Sequence, residues 1–248
     1  GCVAGLEALL RWQHPVRGSV ALRELIPLAE ATGRGEIRPL STVFRIDTND
    51  AGRVSQVAYV DAQGRQQAQK AKAVIVAANG GETPRLLLMS ESSRHPDGLA
   101  NGSGLVGKYL MANGHSLVHA VFDQPLNEHK SVQVTRIVHD FYDNDPQRGF
   151  YGGGGIDARA FIQGSPVMFA ENGLPPDAPR WGKAHKDLLR NDFTRRMSLL
   201  ASTTSLALES NNITLDPELK DRIGRPAMRV TYNDHPHDLA TATFLQDW

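Results

Sequence analysis

The sequence lacks most of the features that narrow a function quickly. Cys2 is the only cysteine among 248 residues, so an internal disulfide framework is impossible, and no thiolate zinc or iron–sulfur centre can be built from this chain alone. Neither sign of charge dominates: 27 Lys+Arg stand against 27 Asp+Glu, and no basic run exceeds the pair Arg195 and Arg196, which argues against a nucleic-acid or anionic-membrane partner. Long hydrophobic runs are also missing. Stretches such as 73–78 and 86–89 fall far short of the roughly 20 residues that cross a bilayer, and no Lys/Arg-led signal segment is visible. A chain without a membrane span is expected, with the compartment, cytoplasm or periplasm, left open.

Signatures of common chemistry are absent as well. There is no GxGxxG, the fingerprint whose glycines let a backbone approach a pyrophosphate at a helix N-terminus, so a nicotinamide-dependent dehydrogenase is disfavoured. The nine histidines include no HExxH. His115 and His119 lie four apart in a β-like stretch, and His235-Pro236-His237 is too constrained for an assumed chelate, so no metal site is expected. His129, His139 and His185 read as solvated. Ser165 lacks the GxSxG elbow and reads as a loop serine, and the setting of Cys2 gives no basis for a nucleophile. No catalytic residue is assigned.

What is present is a 40% hydrophobic composition that can bury one large core or two smaller ones. Apolar spacing predicts a helix over 22–31, despite Pro27, with Ser19 and Gly33 as its candidate caps. Alternation predicts strands at 42–47 and 54–60, separated by the turn Asn49-Asp50-Ala51-Gly52. A second turn at 61–64 leads to a third strand over 71–78. Ala73-Val74-Ile75-Val76-Ala77-Ala78 is continuously apolar, as in a strand covered on both faces, and it runs into Asn79-Gly80-Gly81 and a helix over 85–90. That turn is either a ligand-facing strand end or a plain turn, and Glu82 with Arg85 suits a local ion pair.

Beyond a Gly/Pro/Ser/Asn-rich connection over 92–107, a short helix is expected at 105–111 and strands at 116–122 and 132–138. Gly152–Gly155 reads as a bend rather than a phosphate cradle. A helix at 183–189, a strand at 198–208, short strands near 213–215 and 229–232, and a helix from about 237 complete the pattern. The chain opens on Gly1 and closes on an apolar helical run without a Gly or Pro stop, which reads as a piece of a longer protein.

Two long stretches carry a resemblance. The first is Ala73 to Ser90, AVIVAANGGETPRLLLMS, continued by GLANGSGLVGKYLM from Gly98 to Met111. The second is ESNNITLDP from Glu209 to Pro217 followed by DRIGRP from Asp221 to Pro226 and Val230-Thr231-Tyr232. Together they resemble the central portion of the glucose–methanol–choline (GMC) flavoprotein oxidoreductases, in the gluconate, fructose and sorbitol dehydrogenase-like branch. The resemblance implies an α/β (α+β) fold with a partial, Rossmann-like FAD-binding lobe over 1–110 and a substrate lobe of antiparallel sheet and helices over 111–248.

It also implies FAD contacts at Val43, at the turn Ala78, Asn79 and Gly80, and at Asn101 and Gly104 in the connection passing the flavin, with Asn113 or His115 near the entry to the substrate lobe. The implied substrate is a small alcohol, sugar or polyol, oxidised by histidine-assisted proton removal and hydride transfer to flavin N5, with an electron-acceptor subunit as partner. The family's glycine fingerprint would precede Gly1 and its catalytic histidine would follow Trp248, so the chain by itself is expected to be inactive. The alternative is a non-catalytic binding or structural remnant of the same family.

Overall fold

The computed structural model describes residues 12–14, 18–20, 22–130, 132, 134–159 and 166–248; Cys2 and Ser165 lie outside the described residues. The elements run β1 (Trp12–His14), β2 (Gly18–Val20), α1 (Leu22–Ala31), β3 (Thr42–Thr48), β4 (Val54–Val60), β5 (Gln66–Lys70), α2 (Asn79–Met89), β6 (Gly114–Val121), β7 (Val134–Val138), β8 (Gly154–Arg159), α3 (Pro166–Asn172), α4 (Gly182–Asp192), β9 (Arg196–Thr203), β10 (Asn212–Lys220), β11 (Pro226–Thr231) and α5 (Pro236–Gln246). The mixture of helices and sheets is the expected α/β class. No helix among the described residues is long and apolar enough to cross a membrane.

The chain divides into two compact units, one of residues 1–110 with 208–232 and the other of 111–207 with 233–248. The first extends past the 1–110 lobe that the resemblance implies, because 208–232 folds back onto it. Leu110 N–H donates to the Asn211 carbonyl at 2.8 Å, Ile213 N–H donates to the Gly107 carbonyl at 2.7 Å, and Lys108 bridges to Asn212.

In this first unit β3, β4 and β5 form an antiparallel meander, and β10 and β11 form a separate hairpin. Phe44, Ala58 and Val60 are buried together with Ile223 packed against them. All three hairpin turns use one local device, an Asn or Asp followed by two residues, Gly and Arg. Asn49, Asp61 and Asp221 each accept two main-chain N–H groups on Oδ1, and Gly52, Gly64 and Gly224 take positive φ of 74°, 76° and 76°. The side chain supplies the turn's missing acceptor, while glycine tolerates the left-handed backbone.

The expected third meander strand at 71–78 is displaced: the strand is β5, and 71–78 enters no ladder among the described residues. A strand covered on both faces needs hydrogen-bonded neighbours, and apolar composition cannot supply them. Ile75 is accordingly 61% exposed. The expected helix at 105–111 is a turn instead, with Gly107 and Tyr109 at φ 85° and 58°. In the second unit β6, β9, β8 and β7 form an antiparallel sheet in that order, with α5 packed across β6, β9 and β8. The Pro/Gly-rich stretch 164–179 contains a helix, α3, that local composition concealed.

Candidate functional site

The apolar run 73–78 delivers the chain to α2 through the turn at Ala78, Asn79 and Gly80. Asn79 is left-handed at φ 57°, and its Oδ1 accepts from Gly81 N–H at 2.8 Å and from Glu82 N–H at 3.3 Å. It therefore satisfies two of the donors that a helix start leaves unpaired. Gly80 is exposed, and a Cβ built on it would meet nothing within 4 Å, so its main chain is open to a flat ligand. Gly81 is different, since a Cβ there would crowd Met228 Sδ at 3.2 Å. Of the adjacent glycines, the first faces open space and the second lets α2 approach β11.

The far end of α2 is tied to the meander. Ser90 Oγ donates to the Leu86 carbonyl at 2.6 Å and accepts from Ile46 N–H at 3.0 Å, which takes up a β3 amide beside one of that strand's register irregularities. On its other side α2 is clamped by Arg85. This buried guanidinium donates to the Pro226 carbonyl (2.8 Å), to Asp221 Oδ2 (2.5 Å) and to Glu82 Oε2 (3.0 Å). Burial alone pushes the Asp221 carboxyl pKa up, but the hydrogen bonds from Arg85, Arg225 and Ile223 outweigh it and leave the carboxyl below its ordinary range. The expected Glu82–Arg85 pair is thus present as one arm of a larger clamp that anchors α2 to the β10–β11 hairpin.

Asn101 and Gly104 come together at a cavity of about 370 Å³ beside the C-terminal end of α2, with Asp97, Lys108 and Asn212 also on its wall. Asn101 is committed to shaping this loop: its Nδ2 donates to the Asp97 carbonyl at 2.8 Å, and its Oδ1 accepts from Val106 N–H at 3.0 Å. Lys108 pairs with Glu209 at 2.5 Å, and that hydrogen bond raises the lysine pKa and lowers the glutamate's. Gly107 is the tightest point of the loop, since a Cβ there would overlap the Ile213 carbonyl. Val43, half-buried at the start of β3, and the 78–80 turn lie outside this cavity's wall. The structure therefore gathers the six sequence-singled residues at three places in the first unit.

The second unit places polar residues where the sequence left them unassigned. Across the sheet, His119, Ser198 and Arg159 form one row of β6, β9 and β8. His119 Nδ1 meets the fully buried Ser198 Oγ at 2.8 Å, and burial, then the charge of Arg196, hold the imidazole below its ordinary pKa. Arg159 is paired with Asp157 two residues earlier on the same face. Arg196, 4% exposed, lies over the Phe169 ring at 5.2 Å and donates to the Gly173 carbonyl at 2.5 Å. A run of alternating β-sheet residues carried this signal, but the pairing of strands was needed to read it.

Two readings are settled by packing. Gly152–Gly155 opens β8, and a Cβ at Gly153 would overlap the Phe141 and Tyr142 carbonyls, while one at Gly154 would overlap the Ser202 carbonyl, so these glycines serve close backbone approach. His129, expected in solvent, is half-buried and packs against Phe193 with ring centroids 4.8 Å apart and planes tilted by 38°. Among the described residues, no group of three or more His, Cys, Asp or Glu could hold a metal ion.

No protein-family model matches the chain. It is 37% identical over 222 residues to a 2-methyl-1,2-propanediol dehydrogenase of Mycolicibacterium austroafricanum, covering 88% of this chain and 39% of that protein. It is 26% identical over 233 residues to a gluconate 2-dehydrogenase flavoprotein of Pantoea cypripedii, covering 89% and 36%. The chain belongs to the GMC oxidoreductases. It spans less than two fifths of the length of these relatives. A formate oxidase of Aspergillus oryzae, 16% identical, superposes with a TM-score of 0.56 over 87% of this chain and 44% of that one, a likeness of fold. For a GMC chain the open turn at Gly80 is the observation that fits the implied flavin, because main chain without a side chain is what a flat cofactor can lie against.

Proposed function

We propose that the protein containing this chain is an FAD-dependent oxidoreductase that oxidises a CH–OH group of a small alcohol, sugar or polyol. The observation that carries this reading is the 37% identity over 222 residues with a diol dehydrogenase, supported by the flavoprotein named among the relatives. Bound FAD would supply the hydride acceptor that no side chain provides. In this reading Val43 and the main chain of Ala78, Asn79 and Gly80 hold the adenosine side, and Asn79 keeps the turn open by capping α2 from within.

Asn101 and Gly104 act one step removed: Asn101 braces the loop from both ends of its amide, so that the connection through Gly107 follows one path. Arg85 fixes the angle of α2 and with it the position of the turn. The hydroxyl proton of the substrate is taken by a histidine, which this reading does not place among the residues of this chain. The electrons then pass to an acceptor subunit.

The test is a substrate panel on the full-length protein, with bleaching of the flavin's visible absorbance as the readout. Small diols, sugars and sugar acids should bleach a bound flavin anaerobically without NAD. Saturable NAD binding to a flavin-free protein would overturn the reading. Gly80→Ala isolates the turn: the variant should fold at least as well as the parent, since the added methyl meets open space, yet hold FAD more weakly. Unchanged FAD affinity would reduce 78–80 to a plain turn.

A further inference from the structure

The two histidines flanking Pro236 each turn Nδ1 to a main-chain N–H donor. His235 precedes α5 as its N-cap, and its Nδ1 accepts from His237 N–H at 3.1 Å. His237 Nδ1 in turn accepts from Tyr151 N–H, across the unit, at 2.8 Å. The rings stack with centroids 4.9 Å apart and planes 6° from parallel. A main-chain N–H can only donate, so each Nδ1 must present a lone pair, and each ring must be neutral with its proton on Nε2. A protonated imidazole has no acceptor left.

We propose that the first turn of α5 is an acid-opened latch: the stacked neutral imidazoles of His235 and His237 hold the helix start and the 150–153 loop together, and protonation releases both. Three effects act in the same direction. Each proton added replaces an accepted N–H bond with two opposed N–H groups. It also places a cation at the positive end of a helix, and a second one would stand against the first across the stack. What is released is defined by the packing, because Tyr151 leads directly into Gly152, whose φ of 112° sets it against Thr241, and then into the start of β8.

The charged surroundings do not supply a substitute. On α5 itself, Asp238 is buried and already accepts Leu206 N–H on both oxygens at 3.2 Å and His235 N–H at 3.4 Å. Asp234, just ahead of the cap, is exposed. From the loop packed against α5, Arg148 lies 5.2 Å over the Phe244 ring and pairs with Asp145, while its Nη1 donates to the Phe141 and Asp143 carbonyls. His139 and Tyr142 meet in that loop with their rings tilted by 51° and centroids 5.9 Å apart. On the sheet side Ser116 donates to the Ala242 carbonyl, and strand positions sharing its face on β6, β9 and β8 carry no ionisable side chain. Arg136 of β7 shares that face at the sheet's edge. Among the described residues, Asp238 is thus the one carboxylate bonded to the cap, and it is spent on main-chain donors.

The experiment is amide hydrogen exchange on the whole chain at about pH 7.5 and about pH 5.5, corrected for intrinsic exchange. Protection of peptides covering 150–154 and 235–242 should fall at least ~5-fold at the lower pH. Peptides from β3 and β4 serve as the internal control and should change less than about twofold. The double variant H235N/H237N keeps a side-chain acceptor that cannot ionise. It should hold the same protection at both pH values. Long-range proton–nitrogen correlation spectra of the unmodified chain at neutral pH supply a readout independent of any variant, and should show both rings protonated on Nε2. Equal protection at the two pH values, an equal loss in the β3–β4 control, or rings carrying their proton on Nδ1 would each overturn the proposal.

Discussion

α2 and α5 are both eleven-residue helices, one in each unit, and each carries a single proline, but they are held by opposite chemistry. The start of α2 is capped by its own Asn79, and its Arg85 clamps it to the Asp221 carboxylate and the Pro226 carbonyl while pairing with Glu82 on the same helix. The start of α5 is held by two imidazole lone pairs and one buried carboxylate. An ion pair ties the first helix to its neighbour, whereas the start of the second depends on neutral imidazoles beside a carboxylate. The lesson is that similar local sequence signals at a helix start can lead to fastenings with different responses to acid, depending on what long-range packing brings to them.

The comparison can be broken most forcefully at Arg85. Replacing it with methionine leaves Asp221, Glu82 and the Pro226 carbonyl without their shared donor, and should cost about 3 kcal/mol in urea unfolding of the first unit. A loss under about 1 kcal/mol would mean that the clamp is ornamental. Next in size is Gly107→Ala, where a φ of 85° and overlap with the Ile213 carbonyl combine; a loss of about 2–3 kcal/mol is expected, measured by the same unfolding.

Asn79→Ala removes the internal cap and burdens a left-handed residue with an ill-suited side chain. It should lower stability by about 1–2 kcal/mol, whereas Asn79→Gly, which keeps the backbone, should lose less. The smallest effect sharpens the comparison through pH. The Asp221 carboxyl is held below its ordinary 3.8, so its contribution is complete above that value and is lost only as pH falls through the lowered one. In an acid titration followed by hydrogen exchange, peptides of α2 should therefore stay protected well after those at the start of α5 have opened. Simultaneous opening would remove the distinction.

Much of this was legible in residues close together in the chain. The turns at Asn49 and Asp61, the strands β3 and β4, the span of α1 and the approximate start of α5 all follow from signals a few residues wide, because turn chemistry and periodicity are local. The GMC resemblance rested on two long stretches, and the identity with known relatives extends over 88% of the chain. Less legible were the partners. Nothing near Arg85 announces Asp221, 136 residues away, and nothing near His237 announces the Tyr151 amide, 86 residues away. Glycine spacing likewise could not distinguish open Gly80 from the crowded Gly107 and Gly154, since the distinction lies in what another segment places opposite each of them.

The run 73–78 marks the boundary most clearly. The sequence by itself determined that this segment is apolar throughout, that it ends in a small-residue turn, and that a helix follows. Whether it becomes a strand was decided by tertiary structure alone, because a ladder requires donors and acceptors on a neighbouring chain segment, and among the described residues none is paired with it. By the same reasoning, the local pattern pointed to short strands near 213–215 and 229–232, and only the pairing of β10 with β11 and the contacts of Gly107, Lys108 and Arg85 made them a hairpin of the first unit. Local preferences act within a few residues, whereas burial and pairing depend on which distant surfaces meet.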